Sequence, residues 1–270
     1  MGLEQNVCRC CNKLGKLEYL FENRKVVLCK KCNGLFKENK SSGVHPNIVP
    51  KQFLKLILQK CFSRIQSKSY IEYLKQKTDF SFKTALDIGS GVGYFVKQLN
   101  QLDVDAYGIE SDELTVKHSV TLKNKCKHFD EDFTSKNKYD LISLNQILYY
   151  FNDSYPIIHK IAKMLNKNGL LLITTMNPES TFWLNNETWA EGSEMWLSKK
   201  NFSELNELGL KLVDISSFKD NFWKDFSFYK HKKMNIFLFF IKTISYLLKI
   251  KKTIEHDTDG IHNYLILKKI

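Results

Sequence analysis

The sequence predicts an α/β protein: a doubly wound, mostly parallel seven-stranded sheet preceded by a small cysteine-rich module. Three observations carry that reading. Strand-like and helix-like segments alternate from Phe82 onward. Three glycines at alternate positions, Gly89, Gly91 and Gly93, follow a short apolar strand and lead straight into an amphipathic segment. Five of the seven cysteines fall within the first 32 residues.

A chain of 270 residues is long enough for one α/β core and a small accessory module. With 43% apolar and 13% aromatic residues, disorder is excluded as the main state. Met1 to Asn6 carries neither a basic stretch nor an apolar core, so no secretory leader is expected and a cytoplasmic location is. In that compartment the clustered cysteines point to metal rather than to disulfides. The net charge of +12 invites a nucleic-acid reading, but Arg9, Arg24 and Arg64 are the only arginines among 41 basic residues. Base and phosphate recognition leans on arginine, so the lysine excess reads as compositional bias and nucleic acid is disfavoured as a partner.

Residues 1–40 form the first unit. Cys8 and Cys11, then Cys29 and Cys32, make two C-x2-C knuckles separated by 17 residues. Two residues between thiolates let both sulfurs face one tetrahedral ion, and the pattern is that of a zinc ribbon. A hairpin is expected between the knuckles, Leu17 to Phe21 and Lys25 to Leu28 around Glu22-Asn23-Arg24. Four thiolates fill a Zn2+ ion, so the site is structural, and the metal supplies folding free energy that so short a segment lacks. Cys10 is the spare thiol.

Residues 41–82 are read as linker and entry helices. Ser41-Ser42-Gly43, Pro46 and Pro50 break regular structure. Phe53 to Ile65 then recurs at helical spacing, and a second helical stretch covers Ser69 to Lys77 with Tyr70, Ile71, Tyr73 and Leu74 facing a core. Those aromatics either pack in the core or cap a ligand.

Residues 83–270 hold the alternating domain. Strands are expected at Thr84–Ile88, Ala106–Ile109, Cys126–Phe129, Asp140–Leu144, Leu170–Thr175 and Lys211–Ser217, with a last, antiparallel one at Asn263–Lys268. Helices fit Tyr94–Leu102, Asp112–Lys123, Tyr155–Leu165 and Ser198–Leu208. Such a sheet binds ligands beyond the carboxyl ends of its strands, where the strand order reverses.

The glycine turn narrows the ligand. A dinucleotide site reads G-x-G-x-x-G and sets a pyrophosphate on the helix N-terminus. Here the spacing is tighter, and Asp87 stands two residues before Gly89. An acid there repels pyrophosphate and suits a cation, such as the ammonium and sulfonium of S-adenosylmethionine. Glu110 ends the second strand, where an acid can take both ribose hydroxyls.

Asp87-Ile88-Gly89-Ser90-Gly91-Val92-Gly93 and Gly108-Ile109-Glu110 resemble the first two motifs of class I S-adenosylmethionine-dependent methyltransferases. Tyr139 to Leu148 resembles their fourth-strand motif, and Lys163 to Ile173 the stretch leading into their fifth strand. The resemblance implies that Asp87 and the three glycines lie along the methionine portion and that Glu110 binds the ribose. An acid after the third strand then meets the adenine; Asp130 and Asp132 both qualify, with Asp132 preferred and Phe133 packed on the ring. Asn145 is implied near the methionyl portion or the reacting methyl group. Many relatives carry Leu-Glu-His where this chain has Leu148-Tyr149-Tyr150, so an imidazole base is absent at that point. Tyr149 and Tyr150 are the candidates for the catalytic role, ahead of His118 and His159.

The acceptor side is less specified. Thr175 to Leu197 is loop-like and carries Phe182, Trp183, Trp189 and Trp196, which either wall the acceptor or cover the core. A helical insertion is expected at 218–261, and its apolar part, 234–250, is too short and too polar to span a membrane. Flanked by lysines, it reads as a peripheral contact with the inner face of a membrane or as a helix packed on the sheet. A zinc ribbon ahead of such a core is similar to bacterial methyltransferases of sugar and surface-polysaccharide pathways. The resemblance thus implies a nucleotide-linked or lipid-linked sugar as small-molecule acceptor, methylated on oxygen or carbon. The alternative is an rRNA or tRNA methyltransferase that holds its polyanion with the ribbon and the lysines.

Overall fold

The computed structural model describes residues 7–39, 53–127, 129, 133, 135–185, 193–220, 254–256 and 258–270. In chain order the strands are β1 (Leu17–Phe21), β2 (Val26–Cys29), β3 (Leu35–Lys37), β4 (Thr84–Ile88), β5 (Asp105–Glu110), β6 (Asn124–Cys126), β7 (Tyr139–Asn145), β8 (Leu165–Met176), β9 (Met195–Trp196), β10 (Leu210–Asp220), β11 (Ile254–His256) and β12 (His262–Lys269). The helices are α1 (Phe53–Lys77), α2 (Tyr94–Asn100), α3 (Glu113–Lys117), α4 (Ser154–Met164), α5 (Thr181–Leu184) and α6 (Lys199–Ser203).

The main sheet runs β6-β5-β4-β7-β8-β12-β10-β11. From β6 to β8 all neighbours are parallel, and β12 enters antiparallel between β8 and β10. The seven expected strands are all present, with the three-residue β11 added at the edge beyond β10. From β4 the chain steps outward through β5 to β6, then returns to start β7 on the other side of β4. The switch point therefore lies at the carboxyl ends of β4 and β7, beside the glycine turn.

Alternate residues of each strand feed the two faces. Ala85, Leu141, Leu172 and Ile266 meet α1 and α2 through Tyr70, Tyr73, Leu74, Phe95 and Leu99. Leu86, Ile142, Ile173 and Leu265 meet Ile157, Ile158 and Ile161 of α4 on the other. The aromatics of α1 are core residues: the Tyr73 hydroxyl donates to Asp214 Oδ2 at 2.6 Å and to the Tyr264 carbonyl at 2.9 Å.

Several element bounds differ from the sequence reading. The two expected entry helices are one continuous helix, α1. The expected helix Asp112–Lys123 stops at Lys117, because Ser119 turns the chain: its Oγ donates to the Val92 carbonyl and accepts from Thr121 N–H. Hydroxyl side chains that bond the nearby backbone compete with helix in this way. The third parallel strand sits at Asn124–Cys126 rather than Cys126–Phe129. The helix expected at Ser198–Leu208 is broken after Ser203. Most of the insertion 218–261, including 234–250, lies outside the described residues. No helix among the described residues is long and apolar enough to cross a membrane.

The cysteine module is a second sheet, β1-β2-β3-β9, whose last strand comes from the segment after β8. β1 and β2 form the expected hairpin. Each knuckle ends in an asparagine in the left-handed region, Asn12 at φ 52° and Asn33 at φ 58°, whose N–H donates back to the first cysteine's carbonyl at 2.8 Å. Asparagine tolerates that conformation better than most residues. Gly34 is required for space, since a Cβ there would stand 2.6 Å from Cys10 Cβ.

Candidate functional site

The site is built where β4 ends. Gly89, Gly91 and Gly93 have φ of 69°, 55° and 80°, and the turn is pinned by Gly89 and Ser90 N–H groups donating to the Ile109 carbonyl at 2.9 and 3.1 Å. A side chain at Gly89 would strike Ile147, and one at Gly93 would strike Ser119 and Thr121. Over Gly91 no heavy atom lies within 4 Å of where a Cβ would be, so the turn has open space on that side. Asn124 of β6, which the sequence reading passed over, braces the turn: its Nδ2 donates to the Gly91 carbonyl at 2.8 Å, and its Oδ1 accepts from the Ser90 hydroxyl.

Two acids flank the turn. Asp87 is buried, with Oδ1 accepting from Ser143 Oγ at 2.7 Å and from Asn145 Nδ2 at 3.1 Å. Burial pushes its carboxyl from 3.8 up to about 7; the two hydrogen bonds pull against that shift, and nearby Glu110 adds to it. A buried carboxylate whose hydrogen-bond partners are neutral is a place for a cation. Glu110 is held by backbone: Oε2 accepts from Gly91 N–H at 2.9 Å, and Oε1 from Ser111 and Asp112 N–H at 2.7 and 3.1 Å. Glu110 and the turn are thus one hydrogen-bonded unit, and Asp87 forms a second with Ser143 and Asn145.

Asn145, through its bond to Asp87, stands beside that carboxylate, and Thr174 Oγ1 of β8 donates to Asn145 Oδ1 at 3.4 Å. Ser143 and Thr174 were missed by the sequence reading; both are buried polar residues within apolar strands, the one local signal they offered. Phe133 lies tilted against Phe129, ring centroids 5.0 Å apart, and packs against the core. Asp130 and Asp132 lie outside the described residues.

Tyr149 and Tyr150 follow β7 in a short turn, ring centroids 4.5 Å apart. Tyr149 is buried in an apolar cluster with Phe21, Val26, Leu35, Trp183, Trp196 and Ile261, against which Tyr150, Met176 and Phe182 pack. Tyr149 thus forms part of a wall between the cysteine module and the strand ends. His159 is exposed on α4, and His118 caps the end of α3. Trp189 lies outside the described residues.

The second candidate centre is the cysteine cluster. Cys8, Cys11, Cys29 and Cys32 are buried, with all four sulfurs within 4.8 Å of one another. Cys8 and Cys32 Sγ are 3.7 Å apart. A tetrahedral ion with Zn–S bonds of about 2.3 Å places its sulfurs roughly 3.8 Å apart, so the residues fit one such ion. Cys10 N–H and Gly34 N–H donate to Cys8 and Cys32 sulfur at 3.3 and 3.4 Å. Burial pushes the Cys11 thiol up to about 11, which sets the need for a cation if these sulfurs are to be thiolates. Cys10 turns away and faces the carbonyls of Leu35 and Trp196.

The module is stitched to the larger sheet. Arg9 donates to the Lys37 carbonyl at 2.6 Å and to the Asn152 carbonyl at 2.5 Å. Asn201 Nδ2 donates to the Cys10 carbonyl at 3.2 Å, Ser198 Oγ to that of Cys32, and Glu194 N–H to that of Tyr149 at 2.7 Å.

A strand order in which an antiparallel β12 is inserted between β8 and β10, with a glycine turn and paired acids after β4 and β5, defines the class I methyltransferase fold. A family profile described as a methyltransferase domain matches residues 24–226, and the chain belongs to that family. Among curated proteins, it is 29% identical over 116 residues to a ubiquinone biosynthesis O-methyltransferase of Hydrogenovibrio crunogenus, 40% of this chain and 48% of that one. It is 28% identical over 188 residues to the protein of the same description from Pelagibacter ubique, 57% of this chain and 78% of that one. The chain thus spans about half the length of the first relative. A solved SAM-dependent methyltransferase from Archaeoglobus fulgidus superposes with a TM-score of 0.54 at 14% identity, over 81% of this chain and all of that one. A possible histamine N-methyltransferase from Thermotoga maritima gives 0.54 at 13%, over 81% and 96%. The magnesium protoporphyrin IX methyltransferase of Synechocystis, solved with bound SAH, gives 0.50 at 12%, over 82% and 90%. At these identities the superpositions concern the fold.

Proposed function

We propose that the protein methylates a small hydroxylated molecule, using S-adenosylmethionine as donor. The observation that carries this reading is Asp87, a buried carboxylate at the head of an open glycine turn, with neutral hydrogen-bond partners and shifted up to about 7 by burial. Donor and residues fit. Asp87, Gly89, Gly91 and Gly93 would hold the cationic methionine portion, Glu110 the ribose, Asp132 with Phe133 the adenine, and Asn145 the methionyl end. The bound donor supplies a sulfonium methyl, which is already activated. The chain's part is to orient the acceptor oxygen in line with that methyl and to exclude water.

Oxygen is the favoured atom because both curated relatives are named O-methyltransferases. The wall of Tyr149, Tyr150, Trp183, Phe182 and Met176 suits a flat ring, which supports a phenolic acceptor. A nucleotide-linked or lipid-linked sugar is the second reading: it rests on the zinc-ribbon module ahead of the core, and the same rings offer faces for a pyranose. We assign the cysteine cluster a structural Zn2+.

The test is titration calorimetry with S-adenosylmethionine, followed by methyl transfer from labelled donor to 3,4-dihydroxybenzoate, UDP-glucose and bulk rRNA. Donor binding that is lost in Asp87→Ala, with a methyl ether formed on the phenol, is the expected result. Product on the sugar nucleotide alone would move the acceptor to the second reading. Label in rRNA alone, or no donor uptake, would overturn the proposal.

A further inference from the structure

Strand register places one line of polar residues across the carboxyl ends of the sheet. Asp87 pairs with Ser143, Asn145 with Thr174, Thr174 with Tyr264 and Met176 with His262. Side chains of paired residues share a face, and alternate residues along a strand share it too. Asp87, Ser143, Asn145, Thr174 and His262 therefore all stand on the face covered by α1 and α2. Ser143 and Asn145 both donate to Asp87, and Thr174 donates to Asn145, which links the first four across β4, β7 and β8.

His262 closes the line on β12. It is only 7% exposed, and its Nε2 has no hydrogen-bond partner among the described residues. Its Nδ1 lies 3.3 Å from Gln146 Nε2. An amide nitrogen only donates, so in this amide orientation Nδ1 accepts, which assigns the proton of the neutral ring to Nε2. Gln146 reaches it from a strained position: φ is 59° at a residue that is not glycine, held by its N–H donating to the Thr174 carbonyl at 2.8 Å. Such strain persists only where surrounding structure holds it, and it clusters at binding sites. The left-handed turn after Asn145 brings Gln146 back toward the face that Asn145 and His262 share.

We infer that His262, oriented by Gln146, is the group that binds the acceptor, its Nε2–H donating to an acceptor oxygen. The inference rests on the methyltransferase reading above. A buried N–H without a partner costs free energy in the unliganded protein and recovers it when a ligand oxygen arrives. From β7 to β12 is two strand spacings, and His262 stands two residues along from the Asn145–Thr174–Tyr264 rung, so the two positions are roughly 12 Å apart, the reach of one substituted ring with a hydrogen bond at each end. The ligand class is a ring whose substituent presents a hydrogen-bond-accepting oxygen, a carboxylate or carbonyl, away from the hydroxyl that takes the methyl. Burial lowers the His262 pKa to about 4; the Thr175 backbone, which makes no hydrogen bond to Nε2, opposes that shift to a smaller extent, so the ring is neutral at physiological pH. A neutral donor binds an anionic substituent without setting a second cation beside the sulfonium. His262 is thus a specificity-determining residue.

The experiment compares the full chain with His262→Phe, which keeps ring size without the N–H, and His262→Asn, which restores a donor. Methyl transfer to 3,4-dihydroxybenzoate should fall about 10- to 100-fold in kcat/KM for His262→Phe, mostly through KM, with partial recovery in His262→Asn. Donor affinity by calorimetry should stay within about threefold. The loss should shrink on catechol, which lacks the carboxylate, and nitrogen NMR of labelled imidazole should show Nε2 protonated and Nδ1 bare down to about pH 5. Equal kcat/KM in wild type and His262→Phe, a loss as large on catechol, or a protonated Nδ1 would overturn the inference while leaving the methyltransferase reading intact. No product from wild type on either phenol, with donor still bound, would overturn the phenolic reading and this role with it.

Discussion

Replacing Asp87 by asparagine separates the two jobs of the buried carboxylate. In the unfolded chain the group releases its proton near 3.8, and in the folded, unliganded protein near 7. Between those values the folded protein binds more protons, so stability falls as pH rises through the window and the loss is complete above it. At about 1.36 kcal/mol per pH unit, the full effect is on the order of 4 kcal/mol. The amide of the Asp87→Asn variant does not titrate, so that protein has no such loss. Unliganded Asp87→Asn should match wild type near pH 4 and be more stable at pH 8, with Tm higher by about 2–4 °C for each kcal/mol. Binding should change in the other direction. Removing the charge that faces the cationic methionine portion should cost about 2–5 kcal/mol, or roughly 30- to 5,000-fold in donor Kd. In wild type, donor affinity should weaken as pH drops below 7, because binding then requires the carboxyl to lose a proton. Thermal melts at the two pH values, with calorimetry on both proteins, decide the matter. A variant no more stable at pH 8, or a donor Kd within threefold of wild type, would refute the argument.

Two further outcomes follow from the turn and the cluster. Gly91→Ala should cost about 1–2 kcal/mol of stability for its left-handed backbone and, since its methyl would stand in the open space above the turn, should weaken donor binding at least tenfold by calorimetry. Metal analysis should find one zinc per chain, lost in Cys11→Ser and retained in Cys10→Ser; chelation should lower Tm steeply, and a melt unmoved by chelator would exclude a structural ion.

The glycine turn was legible because everything that specifies it is local. Positive φ selects glycine at Gly89, Gly91 and Gly93, and Asp87 stands two residues ahead of them in the same stretch. The β1–β2 hairpin was legible for the same reason, framed by two thiol pairs. The residues that escaped are specified by contacts distant in sequence. Asn124 braces the turn from β6, and His262 reaches the site because β12 is inserted antiparallel beside β8; in the sequence each is one polar residue in an ordinary strand. β9 escaped because two residues, Met195 and Trp196, carry no strand period, and their pairing with β3 depends on the module's final position. Asp112–Lys123 was overextended because helix spacing continues past the point where Ser119 bonds the Val92 carbonyl.

That late strand changes what the cysteine module is for. A ribbon that folded alone would close its own sheet, but here the fourth strand arrives from the segment after β8, and Trp196 is buried against Phe21, Val26 and Leu35. The same cluster takes in Tyr149, from the turn after β7, and Ile261, from the residue before β12. Cys8, Cys29 and Cys32 also share one contiguous core with Leu144 and Ile173 of the main sheet. Free energy that orders the four sulfurs therefore also orders Tyr149, Trp183 and the start of β12, the region proposed to face the acceptor. The hydrogen bonds of the glycine turn, by contrast, run to Ile109, Glu110 and Asn124, none of them in the module. The glycine turn is thus held by contacts outside the module and the proposed acceptor wall by contacts with it, which is why loss of metal should reach acceptor turnover before it reaches donor affinity.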